Sequence, residues 1–289
     1  MRSEQEMMDL ILDFAGNDER VRAVGMNGSR TNPNVPKDMF KDYDIVFMVT
    51  DMDSLIMDKN WMDCFGGRII MQTPEDMDLF PPELDGNFSY LMLFSDGNRI
   101  DLTLCPIEKK DNWNNSDKLS IVLLDKDQSL PNLPAPSDED YWLRRPSAAF
   151  YADCCNEFWW ISTYVAKGLW RQEITYAMDH LNMNLRPMLI KMLEWKVGID
   201  TNFSLSTGKN GKYLEKYLSK QNWLALMSTY PEGTYEGVWR ALFALLDLFR
   251  STSKEVAERL NYYYPYDDDR NVTAYLMRVQ RLEPGANSI

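Results

Sequence analysis

Histidine is nearly absent from this 289-residue chain, where His180 stands alone. One imidazole cannot build a multi-histidine metal site, and a Ser-His-Asp triad would have to run through that single residue. Cysteine is scarce as well. Cys64, Cys105, Cys154 and Cys155 contain no C-x-x-C spacing and two are adjacent. Neither a zinc site nor a disulfide framework is signalled, and reduced, buried thiols are expected. Long apolar runs are missing, since no stretch approaches the about 18 residues that a membrane span requires. Basic residues are the minority, 31 against 44 acidic, giving a net charge of −13 and a pI near 4.6. Such a chain repels phosphate backbones, which argues against nucleic-acid partners and for cationic ligands. The opening MRSEQEMMDL carries acids where a secretion leader needs apolar residues, so a cytoplasmic protein is expected.

What remains is ordinary globular composition, 45% hydrophobic and 26% charged, with enough apolar surface for a core. The length suggests about two domains. Ser3 and Glu6 form a capping box ahead of an apolar stripe at Met7, Leu10, Ile11 and Phe14, which predicts a first helix. Val21 to Met26 reads as a strand that exits into Asn27-Gly28-Ser29-Arg30. Asp42 to Thr50, with its dense Ile45-Val46-Phe47-Met48-Val49 run, reads as a strand buried on both faces. A helix is expected over 53–63 and a strand over 67–72. Phe88 to Phe94 and Arg99 to Leu104 form a hairpin around Asp96-Gly97, and Ser120 to Leu124 adds another strand. The proline-rich stretch Leu130 to Pro136 is stiff and extended. Beyond it, helices are expected over 147–168, 184–197, 212–227 and 235–260, all with apolar spacing near 3.6. The expected architecture is α+β, a mixed-sheet domain over 1–140 followed by a helical domain over 141–289.

The chemistry concentrates between residues 27 and 101. Asp42 and Asp44 flank Tyr43 at the start of a strand, so both carboxylates face the same side. Asp101 lies inside an apolar hairpin strand, where an acid is costly unless compensated. If these strands are neighbours, three carboxylates converge and repel one another unless a cation neutralises them. Oxygen-only ligands favour magnesium over zinc. Gly28-Ser29-Arg30 at a strand exit offers amides, a hydroxyl and a guanidinium to phosphate oxygens.

The ordered set of strand, Gly-Ser-Arg turn, Asp-x-Asp and a later strand aspartate resembles the nucleotidyltransferase superfamily with its polymerase-beta-like core. The wider segments Arg22–Arg30, Lys41–Val46, Tyr176–Leu181 and Thr207–Leu214 resemble the aminoglycoside 6-adenylyltransferases, which modify streptomycin. The resemblance implies a mixed sheet with the acids at one edge and a C-terminal helical bundle closing over the cleft. It implies ATP bound with its triphosphate on Gly28, Ser29 and Arg30, and magnesium on Asp42, Asp44 and Asp101. A substrate hydroxyl then attacks the α-phosphorus and pyrophosphate leaves, with Asp101 as the candidate base. Lys209 and Lys212, in a glycine-rich turn before a helix, are further candidates for the phosphates, although solvated loop lysines read the same way. This turn lacks the spacing of a Walker A motif. A cationic acceptor calls for acids, and Asp179 with His180 matches the family's block, although a solvated helix acid and a structural histidine are equally natural there. Two other readings stay open: transfer to a different small molecule or a protein, and a non-catalytic nucleotide-binding protein on the same fold.

Overall fold

The computed structural model describes residues 1–114 and 117–288, which form two compact units, Met1–Asp140 and Tyr141–Ile289. In the first unit, helix α1 (Glu4–Asn17) opens with the capping box: Ser3 accepts from the Glu6 amide while Glu6 reaches back to Ser3. Six strands follow: β1 (Val21–Asn27), β2 (Tyr43–Val49), β3 (Arg68–Gln72), β4 (Phe88–Phe94), β5 (Arg99–Pro106) and β6 (Ser120–Asp125). They form one mixed sheet in the order β3-β4-β5-β2-β1-β6. β5 runs parallel to β2, and the other neighbouring pairs are antiparallel.

The two-residue period of β2 assigns its side chains. Tyr43, Ile45, Phe47 and Val49 point to the larger core with Met7, Ile11, Trp61 and Phe65. Phe14 stacks on Phe47 at 5.8 Å between ring centroids. Val46 and Met48 point the other way, to a small cluster with Ala23, Cys105 and Trp113. The strand is therefore buried on both faces, and Asp44 shares the face of the small cluster. The expected helix over 53–63 is interrupted. α2 (Met52–Met57) ends at Asp58, whose carboxylate accepts from the Asn60 amide and starts a 3₁₀ turn over Lys59–Phe65. The short helix α3 (Lys110–Asn114) precedes β6.

The second unit is helical: α4 (Ala148–Trp170), α5 (Ile174–Asp179), α6 (Arg186–Asp200), α7 (Leu214–Tyr217), α8 (Lys220–Ser228), α9 (Tyr235–Leu260) and α10 (Tyr266–Arg281). Phe158 of α4 stacks on Phe249 of α9 with nearly parallel rings, and Trp159 lies beside them in the core. Between α5 and α6 the backbone widens into a π-helical turn over His180–Leu185. Pro187, just beyond it, has no N–H to continue the α ladder. The single helix expected over 212–227 is two. Leu218 is extended, and Ser219 caps α8 by accepting from the Asn222 amide. Among the described residues, no helix is long and apolar enough to cross a membrane.

Candidate active site

β1 delivers the chain to Gly28, whose φ of +77° suits glycine. A Cβ here would lie 2.2 Å from Asp44 Oδ2, so the glycine also makes room for that carboxylate. The turn is closed internally. The Gly28 amide donates to Leu119 O, and the Thr31 amide and hydroxyl both donate to Gly28 O. The Ser29 hydroxyl is left without a protein partner among the described residues.

Arg30, expected at the phosphates, packs within the protein. Its guanidinium lies 3.6 Å from the centroid of the Tyr43 ring, donates to the carbonyls of Asp42 (3.1 Å) and Lys41 (2.8 Å), and sits 3.3 Å from Glu4. Stacking and backbone bonds thus give the group a structural task. Lys41 answers from the other side, donating to Ser29 O at 2.9 Å. Together these bonds clamp the Gly28–Arg30 turn to the start of β2.

The clamp fixes Asp42 and Asp44. Burial pushes the Asp42 carboxyl above its ordinary value, and the nearby Arg99 only partly offsets this. Asp44 is pushed up to about 6, first by burial and then by the charges of Asp101 and Asp42. Asp101 stands directly across from Asp44 in the parallel β2–β5 register. The three acids thus share one locality of the sheet.

Asp101 is not unpaired. Arg99 grips it with Nε and a terminal nitrogen, each at 2.7 Å, and Arg99 Nε lies 3.8 Å from Asp42. Arg99 was not singled out from the sequence. The signal was available, because residues two apart on a strand share a face. Half-buried acids outnumbering their counter-ions, with oxygen donors only, fit a hard divalent cation at Asp42 and Asp44. With Asp101 on Arg99, no group of three His, Cys, Asp or Glu side chains among the described residues is placed to hold a metal. A groove of about 720 Å³ leads away from Asp42 and Arg99 over Phe40, Ile70, Leu91 and Leu93.

The remaining expected residues lie in the helical unit. Lys209 opens a 3₁₀ turn and Lys212 follows it, with no ion pair to either among the described residues. The next helix, α7, has four residues, too short to supply the expected dipole. The glycines of this turn serve local packing, since a Cβ on Gly208 would meet Lys212 and Tyr213 at 2.8 Å. Asp179 is exposed at the end of α5. His180 sits edge-on between Tyr176 and Tyr164, with ring centroids 4.4 and 5.4 Å away, and its Nδ1 is buried without a partner.

The streptomycin adenylyltransferase family model matches residues 1–279. An aminoglycoside 6-adenylyltransferase of Bacillus subtilis (strain 168) is 53% identical over 95% of this chain and 97% of its own length. One of Campylobacter jejuni is 47% identical over 97% of each chain. A crystal structure of an aminoglycoside 6-adenyltransferase from Bacillus subtilis aligns with 98% of this chain and all of its own, at 46% identity and a TM-score of 0.49.

Proposed function

The chain belongs to the streptomycin adenylyltransferase family, and from that premise we propose that it transfers AMP from ATP to the 6-hydroxyl of streptomycin, releasing pyrophosphate. The observation that carries the reading is the registered Asp44–Asp101 pair beside the Gly28–Ser29 turn. A phosphate-binding turn and an acid cluster side by side are what in-line phosphoryl chemistry needs.

Under this reading Asp42 and Asp44 hold a magnesium ion, which when bound neutralises phosphate charge and lowers the pKa of the attacking hydroxyl. The protein's own groups do the rest. The unpartnered Ser29 hydroxyl donates to a phosphate oxygen. The clamp of Arg30 and Lys41 keeps the turn and the two acids in fixed relation. The acceptor oxygen bonds to the α-phosphorus as the bond to the β-phosphate oxygen breaks, and Asp101 accepts the hydroxyl proton. In the helical unit, Lys209 and Lys212 are the candidates for anionic groups, and Asp179 and His180 for a cationic one. Use of ATP assigns the reaction to the cytoplasm.

The test is pyrophosphate release from magnesium-ATP, with and without streptomycin, by wild type and Asp42→Asn. Streptomycin-dependent release that disappears in the variant is the expected result. Nucleotide binding without release moves the reading to another acceptor. Absence of nucleotide binding overturns it.

A further inference from the structure

We propose that Arg99 is a displaceable counter-ion: its guanidinium occupies Asp101 in the metal-free protein and yields that carboxylate when a divalent cation binds Asp42 and Asp44. The inference rests on the functional reading above. It starts from the geometry of one strand face. Arg99 and Asp101 are two residues apart on β5, so their side chains lie side by side without help from any other element. Two 2.7 Å bonds use both oxygens of Asp101, and the same guanidinium is 3.8 Å from Asp42. One guanidinium therefore serves two of the three carboxylates.

The pair is built to open. The Arg99 side chain is 42% exposed, at the mouth of the groove that begins at Asp42. The guanidinium can therefore leave Asp101 by turning into solvent, without being buried unpaired. Asp101 has no second side-chain partner among the described residues. In the helical unit Arg250 and Asp269 make the contrasting arrangement. There Tyr264 and Thr273 also bond the carboxylate, which is 9% exposed, and the pair is closed. Swinging Arg99 away needs only side-chain rotation, because the β2–β5 register is held by the backbone.

Arg99 thus competes with metal for Asp101, and removing it should tighten metal binding. The experiment titrates the nucleotide-free protein with Mn²⁺, followed by electron paramagnetic resonance of the free ion. Arg99→Met, which keeps an apolar stem in the groove, should bind Mn²⁺ roughly three- to tenfold more tightly than wild type, the range for loss of one exposed ion-pair competitor and its charge. Arg99→Lys, which keeps the charge but not the two-pronged grip, should fall between them, and it serves if the Met variant does not fold. Its melting temperature in EDTA should drop for Arg99→Met and recover on adding Mn²⁺, a readout independent of turnover. Unchanged or weaker Mn²⁺ binding in both variants overturns the proposal and makes Arg99 a permanent support for Asp101. An Asp44→Asn arm separates the two layers: Mn²⁺ binding lost there upholds the metal reading whatever Arg99 does. No Mn²⁺ binding by wild type overturns both.

Discussion

Asp44 in the sheet unit and Asp269 in the helical unit are both acids drawn away from water, and their carboxyls move in opposite directions. For Asp269 burial pushes upward, but bonds from Arg250 and Tyr264 outweigh it and hold the group below its ordinary value. For Asp44 burial again comes first, and its acidic neighbours add to it. One unit spends a buried carboxylate on cohesion, and every bond of the network is closed. The other leaves like charges facing each other, which costs stability and creates a demand for a cation. A strained electrostatic arrangement inside an otherwise well-packed sheet is where function is to be sought.

The comparison breaks most visibly on substitution. Asp44→Asn should cut adenylyl transfer by about 10³-fold, the rate equivalent of several kcal/mol of lost electrostatic stabilisation. Its melting temperature at neutral pH should stay level or rise, because a repelled charge is gone. Asp269→Ala should do the reverse. It takes away the buried carboxylate that Arg250, Tyr264 and Thr273 share and should lower unfolding free energy by about 3 kcal/mol, read by urea denaturation, with turnover at low temperature kept. If Asp44→Asn destabilises as much as Asp269→Ala, the contrast between the units is wrong.

Gly28→Ala sharpens the picture at smaller cost. The new Cβ meets Asp44 at a left-handed backbone position, so about 1–2 kcal/mol of stability should be lost. Turnover should fall more steeply than stability, since the displaced group is the carboxylate itself. Thermal melts of Gly28→Ala beside steady-state rates check this. The smallest effect is on pH dependence. A carboxyl raised to about 6 binds its proton more tightly folded than unfolded. Its contribution to stability is therefore present in acid and lost as pH rises from the ordinary carboxylate range through about 6. In EDTA, wild type should lose melting temperature against Asp44→Asn across that window, and parallel curves would remove the assignment.

Much of this was legible in the chain. The apolar run of β2 and the Asp96-Gly97 turn carried strong local signals, and the alternation of strand side chains put Asp44 and Asp101 on faces that could meet. Tertiary choices were not legible. Arg30 could be read as a free cation because nothing in a sequence shows a guanidinium stacked on Tyr43 and bonded to carbonyls. The breaks at Asp58 and Ser219 hinge on short polar side chains that bond their own backbone, and the helical periodicity runs through both without a mark. The π turn at His180–Leu185 keeps the apolar face nearly in phase, so it too leaves little trace.

The parallel seam between β2 and β5 bears on how this fold can change by insertion. Because successive residues of a strand face opposite sides, one residue added within β5 between Arg99 and Asp101 would turn Asp101 toward the face of the larger core unless the extra residue bulged out. Asp44 would keep its place and lose its opposite number. Length variation in the hairpin is thus quantised: pairs of residues, or additions confined to the turn, leave the acids in step, and odd additions within the strand do not. Phe40, on the groove side in the loop ahead of β2, lies outside every strand pairing, so that loop is free to vary while the strands keep the acids in place.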